Sequence, residues 1–165
     1  MRNVRRYDPQ GAPVFVTIVC RNHRPLLLEA PCKETVLRVL KRLRSEATFK
    51  LFAWVILDDH LHLIVDLCMP DLSTAIGRLK QHIALGLRKS SLWQPRFFDH
   101  IVRDEADLRA HLDYIHFNPC RHGYVTAPVD YRWSSMRSMV RKGFYSEQWG
   151  ALEVPATIVE GTGSE

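Results

Sequence analysis

Two hydrophobic patterns alternate along most of the chain. Short runs rich in β-branched residues, such as PVFVTIVCR, are typical of strands. Longer segments place apolar residues three or four positions apart, which is helical spacing, and Val36, Leu40 and Leu43 are an example. These patterns predict strands at residues 13–21, 50–57, 60–67 and 97–102, and helices at residues 30–49, 71–90 and 103–119.

The order of these elements predicts the fold. The first six match the split βαβ arrangement, so we expect an α+β, ferredoxin-like antiparallel sheet with helices on one face. The other face is expected to be open for a site, and an extra C-terminal helix carries a tyrosine. Asp104 is the predicted N-cap of that helix and Pro119 its predicted end. We expect one domain at residues 1–150 and a flexible tail at residues 151–165.

Composition narrows the class of protein. The chain has 165 residues, 46% of them hydrophobic and 25% charged, which is typical of a globular protein. No apolar run reaches the ~18 residues of a membrane span, and we expect no targeting segment. The four cysteines form no CxxC pair, which favours reduced thiols and a cytoplasmic location. A net charge of +5 makes nucleic acid a reasonable partner.

A pair of histidines stands out in the third predicted strand. His60 and His62 are two positions apart, so they project from the same face, while Leu61, Leu63 and Val65 project towards the helices. Two imidazoles in this arrangement can converge on one metal ion. The alternative is chance, because a chain with eight histidines often contains one such pair.

The third predicted helix carries two further polar candidates. Tyr114 and Asn118 are four residues apart and therefore share a helical face. Asparagine offers a carbonyl oxygen to a hard metal ion, and a tyrosine phenolate is a nucleophile. A half-buried core tyrosine and an ordinary residue before a proline are the alternatives.

Three sequence blocks carry a family resemblance. DHLHLIV at residues 59–65, DYIHFNPCRHGYV at residues 113–125 and PVDYRWSS at residues 128–135 occur in the order seen in the single-tyrosine HUH transposases. The chain resembles in particular their REP-associated branch, the tyrosine transposases of bacterial repeat elements. The resemblance spans most of residues 7–140.

The resemblance implies a site and a reaction. In that family two histidines bind a divalent metal ion, Mg²⁺ or Mn²⁺, and they correspond to His60 and His62. The polar residue that completes the metal site corresponds to Asn118, and the nucleophile corresponds to Tyr114. The implied activity is cleavage and transfer of single-stranded DNA, including hairpin DNA, through a 5′-phosphotyrosine. Both a homodimer and a monomer are compatible with the sequence.

DNA binding needs cations for the phosphates. Candidates lie at the N-terminus, at the end of the second predicted helix and at the end of the third: Arg2, Arg5, Arg6, Arg88, Lys89 and Arg121. Trp93, Phe97 and Phe98 are candidates to stack on unpaired bases, with core packing as the alternative.

Two other functions fit the same residues. One is a ferredoxin-like domain that binds nucleic-acid hairpins without cleaving them. The other is a metal-dependent phosphodiesterase in which water attacks the phosphate and Tyr114 is structural.

Overall fold

The computed structural model describes residues 11–159, so Arg2, Arg5 and Arg6 lie outside the described residues. The strands are β1 (Val14–Val19), β2 (Phe49–Ile56), β3 (His60–Leu67) and β4 (Phe98–Ile101). The helices are α1 (Ala30–Ser45), α2 (Leu72–Leu87), α3 (Glu105–Arg121), α4 (Met136–Arg141) and α5 (Ala156–Val159). Short 3-10 turns occur at Arg21–His23 and Pro128–Asp130.

The four strands form one antiparallel sheet in the order β2-β3-β1-β4. This order confirms the predicted α+β, ferredoxin-like architecture. Strand register places Thr17 of β1 opposite His62 of β3 on one side and opposite Phe98 of β4 on the other. Because cross-strand partners share a face, these three side chains form one row across the sheet.

The two faces of the sheet are covered differently. Leu61, Leu63 and Val65 are fully buried in the core cluster that also contains the apolar faces of α1 and α2. The opposite face, which carries His60 and His62, is crossed by α3, which packs mainly against β2 and β3. The sheet face that was predicted to be open is therefore partly covered by α3. The site lies between this helix and the sheet.

The helix α3 begins where predicted but does not end at Pro119. The Asp104 carboxylate accepts a hydrogen bond from the Asp107 N–H and caps the N-terminus. At the other end the helix continues to Arg121, and the Tyr124 N–H donates to the Pro119 carbonyl. Gly123 has φ of 76°, a left-handed conformation that glycine adopts without strain. The glycine and its closing hydrogen bonds, rather than the proline, terminate the helix.

The segment after α3 fastens that helix to the sheet. The Ile56 N–H donates to the Trp133 carbonyl, and the Trp54 N–H donates to the Ser135 hydroxyl, so the segment lies along β2. Nε2 of the buried His116 on α3 lies 2.8 Å from the same hydroxyl. The third of the three sequence blocks, residues 128–135, thus has a structural role: it links β2 to α3.

The end of the described chain also packs on α3. The Thr157 hydroxyl, in α5, donates to the buried Asp113 carboxylate at 2.8 Å. Residues expected to form a tail therefore include a short docked helix, and the domain boundary at residue 150 stays a prediction. None of the helices within residues 11–159 combines the length and the apolar character needed to cross a bilayer.

Candidate active site

The two histidines of β3 lie side by side and each has one ring nitrogen held by a neighbour. The ring centroids of His60 and His62 are 4.8 Å apart. Nδ1 of His60 lies 2.6 Å from Oδ1 of Asp59, and Nδ1 of His62 lies 2.7 Å from the hydroxyl oxygen of Thr17. Such partners orient metal-binding histidines and set which nitrogen carries the lone pair for the metal.

Four polar side-chain atoms of His60, His62 and Asn118 are buried without hydrogen-bond partners among the described residues. Within residues 11–159, the buried side-chain nitrogen and oxygen atoms that have no hydrogen-bond partner are Nε2 of His60, Nε2 of His62, and Oδ1 and Nδ2 of Asn118. A buried unsatisfied polar group costs about 1–3 kcal/mol, so a native structure normally retains one for a reason. Two imidazole nitrogens and an amide oxygen fit a divalent metal ion such as Mn²⁺ or Mg²⁺.

The electrostatics of His62 favour its neutral form. Burial lowers the pKa of His62 well below its usual range, and the neighbouring charges of His60, His122 and Arg121 lower it further. In the tautomer that donates Nδ1–H to Thr17, the Nε2 lone pair is left for a cation. A neutral imidazole is the form that binds metal ions.

Tyr114 lies beside the histidines on α3. Its ring centroid is 5.2 Å from that of His62 and 5.9 Å from that of Phe15, both in edge-on geometry. The residue is only 8% exposed, but it lines an open cavity of about 800 Å³ together with His60 and His62. The Arg121 guanidinium carbon lies 5.6 Å from the centre of the tyrosine ring.

A second tyrosine of the cavity, Tyr124, has a different environment. Burial raises the pKa of Tyr124 to about 12, and the charge of Asp58 and a hydrogen bond to it act in the same direction. A phenol whose pKa is raised in this way ionises less readily than a free phenol.

The described candidate DNA-binding residues do not all lie at the same place in the fold. Arg121 lines the cavity. Arg88, the left-handed C-cap of α2, and Lys89, whose ammonium group donates to the Leu26 carbonyl, are not among the residues lining it. Any contact of these two residues with DNA would lie away from the tyrosine.

A second cluster of metal-ligand types lies at the rim of the cavity. Ligand atoms of His100, Asp107 and His111 are within 4.8 Å of one another. The Asp107 carboxylate already accepts hydrogen bonds from the Arg103 backbone and guanidinium groups and lies 2.8 Å from His100 Nε2. The two imidazole rings are stacked with 19° between their planes, so their in-plane lone pairs do not converge. The site formed by His60, His62 and Asn118 is therefore the better metal candidate, because its buried polar atoms have no other partner in the described part of the chain.

Sequence reasoning did not identify every residue of the site. Thr17 and Phe15 come from β1, and only the strand register shows that they adjoin His62 and Tyr114. The ring centroid of His122 lies 5.5 Å from that of His60. Asp59 could have been identified from the sequence, because an acidic residue directly before a metal-site histidine is well placed to orient its ring.

Comparison with known proteins identifies the family. Residues 14–118 match the family described as transposase IS200 like. A REP-associated tyrosine transposase of Escherichia coli strain K12 is 32% identical, with 90% of this chain and 91% of the relative covered. A Haemophilus influenzae protein named for the same group is 34% identical, with 91% of this chain and 94% of the relative covered.

The solved structures point to the same group. The structure of a REP-associated tyrosine transposase bound to a REP hairpin matches with a TM-score of 0.79 and 31% identity, over 94% of both chains. Sequence similarity along nearly the whole chain and similarity of the fold therefore agree. The chain belongs to the IS200-like transposases, a family of enzymes, and within it to the REP-associated tyrosine transposases.

Proposed function

We propose that this transposase cleaves single-stranded DNA next to a hairpin by attack of Tyr114 on the scissile phosphate. The observation that supports the proposal most directly is the set of buried atoms without partners on His60, His62 and Asn118, because they adjoin the tyrosine. The solved relative bound to a REP hairpin supports hairpin DNA as the substrate.

His60, His62 and Asn118 would hold one divalent metal ion. When bound, it would polarise the phosphate and neutralise developing negative charge. Asp59 and Thr17 keep the two imidazoles oriented for this task. The Asn118 amide nitrogen keeps its donors available for a phosphate oxygen, since only the carbonyl oxygen of that amide is a metal ligand.

The covalent step exchanges one ester bond for another. The Tyr114 hydroxyl oxygen attacks the phosphorus, its proton passes to solvent, and the bond from phosphorus to the 3′ oxygen breaks. The leaving oxygen takes up a proton and becomes a free 3′-OH, while the 5′ end remains linked to the tyrosine. Attack of a 3′-OH on this link rejoins strands and restores Tyr114, so no external energy source is required. Arg121, beside the tyrosine ring, is placed to pair with the phosphate.

A denaturing gel tests the proposal. The protein is incubated with 3′-end-labelled single-stranded DNA that contains a hairpin, in the presence of Mn²⁺ or Mg²⁺, so that the fragment joined to Tyr114 carries the label. We expect a protein-linked band that Tyr114→Phe abolishes and that His62→Ala reduces strongly. The matched control is Tyr124→Phe, which removes the other phenol of the cavity and should retain the band.

Other outcomes would support different functions. Cleavage without a protein-linked band, unchanged in Tyr114→Phe, would indicate a metal-dependent phosphodiesterase that uses water. Binding of the hairpin without cleavage under any metal condition would indicate a non-catalytic hairpin-binding protein. Either result would contradict the proposal.

A further inference from the structure

We infer that Phe98, on the edge strand β4, is a stacking platform for one unpaired DNA base beside the scissile phosphate. The inference rests on the proposed function, because it assigns a subsite for single-stranded DNA to the same cavity. It assigns a binding role to a residue that takes no part in the chemistry.

The exposure of Phe98 is the first observation. The side chain is 55% exposed although it lines the cavity. Exposing a large aromatic ring to water is unfavourable, roughly 25 cal/mol per Å² of apolar surface. The two nearby aromatic residues differ: Trp93 and Phe97 pack against the core, and the Trp93 indole N–H donates to the Lys80 carbonyl. Core packing therefore accounts for these two residues but not for Phe98.

The position of Phe98 relative to the reacting groups is the second observation. It lies in the row Phe98–Thr17–His62 across neighbouring strands. Two strand spacings separate Phe98 from His62, which is roughly 10 Å. The ring also contacts Phe15 edge-on, with centroids 6.3 Å apart, and Phe15 in turn contacts Tyr114. The ring is thus held in place near the tyrosine, but not so near that it would occupy the position of the phosphate.

The surroundings favour a nucleobase over an apolar peptide. His100, two residues further along β4, and His111 line the same cavity as Phe98, so polar rings share its lining with the aromatic ones. Arg96, exposed just before the strand, and Arg121, in the cavity, supply positive charge for the DNA backbone. An aromatic face next to cations is the arrangement by which proteins bind single-stranded nucleic acid.

Binding measurements in a non-cleaving background test the inference. Tyr114→Phe protein without added metal is titrated with a fluorescent hairpin oligonucleotide that has single-stranded flanks. Adding Phe98→Ala should weaken binding roughly 5- to 150-fold, the range for one base–aromatic stack. Phe98→Trp should retain the affinity, whereas Phe98→Leu should lose most of it. Ile101→Ala is the matched control: Ile101 is 61% exposed on the same strand but projects from the opposite face, and binding should change less than twofold.

A scan with abasic sites identifies the stacked base. Single abasic sites are placed in turn along the flank of the hairpin. We expect one position at which the missing base weakens binding to the Phe98 protein but not to the Phe98→Ala protein. Equal losses in both proteins at every position, or full affinity of Phe98→Ala, would overturn the inference while leaving the covalent activity of Tyr114 unaffected. Failure of the Phe98 protein to bind any single-stranded hairpin would overturn both this inference and the proposed function.

Discussion

The Thr17 hydroxyl oxygen on β1 lies 2.7 Å from Nδ1 of His62 on β3, and the two residues are direct cross-strand partners. The remaining nitrogen of the imidazole, Nε2, is buried without a partner. The hydroxyl therefore holds the ring so that its free nitrogen projects into the candidate metal site.

Thr17→Val should weaken metal binding and leave the fold intact. Valine has nearly the shape of threonine and suits a strand, but it cannot accept the hydrogen bond from His62. Loss of such an outer partner typically lowers metal affinity about 10- to 100-fold. Isothermal titration with Mn²⁺ measures the change. The control is Thr35→Val, which removes a hydroxyl bonded to the Pro31 carbonyl on α1; an equal loss of affinity in both variants would contradict the role of Thr17.

Lys33→Met should destabilise the protein. Lys33 is 3% exposed, and its ammonium group donates to the carbonyls of Leu27 and Leu28 and to the Asp58 carboxylate. Removing one partner of a buried ion pair costs about 3 kcal/mol, and chemical denaturation measures this loss.

Two variants test whether the Lys33–Asp58 pair is responsible. Adding Asp58→Asn to Lys33→Met should restore part of the stability, because the unpaired carboxylate is then neutral. Lys41→Met, an exposed lysine on the same helix, should change the free energy of unfolding by less than about 0.5 kcal/mol. If the double variant is less stable than Lys33→Met alone, the ion pair is not the cause.

Arg121→Met should slow cleavage more than it weakens DNA binding. Methionine keeps an apolar stem over the Tyr114 ring but removes the charge that would pair with the phosphate. We expect the rate of covalent-complex formation at saturating DNA to fall roughly 10- to 100-fold. Arg132→Met is the matched control and should not slow cleavage. The guanidinium carbon of Arg132 lies 4.3 Å from the centre of the Trp133 ring, and the residue does not line the cavity. A change in affinity alone would assign Arg121 to DNA binding only.

Asp107 should make stability depend on pH in the acid range. Burial by itself would raise the pKa of Asp107, but hydrogen bonds from Arg103 and His100 outweigh it and lower the pKa to about 2, from an ordinary value of 3.8. The unfolded chain therefore binds a proton more readily. The ionised Asp107 carboxylate therefore stabilises the folded state by about 2 kcal/mol. This contribution is present above pH ~4 and is lost as the pH falls towards 2, where the carboxylate is protonated in the folded state as well.

Urea denaturation between pH 7 and pH 3 measures this dependence. The difference in free energy of unfolding between wild type and Asp107→Asn should be constant from pH 7 to pH 5 and narrow below pH ~4. Asp104→Asn should show almost no difference at neutral pH, because asparagine caps a helix as well as aspartate does. A difference between wild type and Asp107→Asn that persists undiminished at pH 3 would show that the carboxylate charge is not responsible.

Local patterns in the sequence were sufficient for the elements and for much of the site. Side chains alternate between the two faces of a strand, which placed His60 and His62 on the same face. Side chains repeat about every 3.6 residues around a helix, which placed Tyr114 and Asn118 on the same face. These periods follow from the backbone geometry of each element and need no tertiary information. The strand and helix order was likewise sufficient to predict the ferredoxin-like sheet.

Only the tertiary structure decided how these pieces meet. Strand register brought Thr17 to His62 and left Phe98 exposed at the sheet edge, and the docking of α3 across the sheet brought Tyr114 to the histidines. The end of α3 at Gly123 instead of Pro119 depended on closing hydrogen bonds that a local pattern does not display. The physical reason is common to these cases: each depends on packing or hydrogen bonding between residues whose relative positions are set by the folded chain and not by the period of a single element.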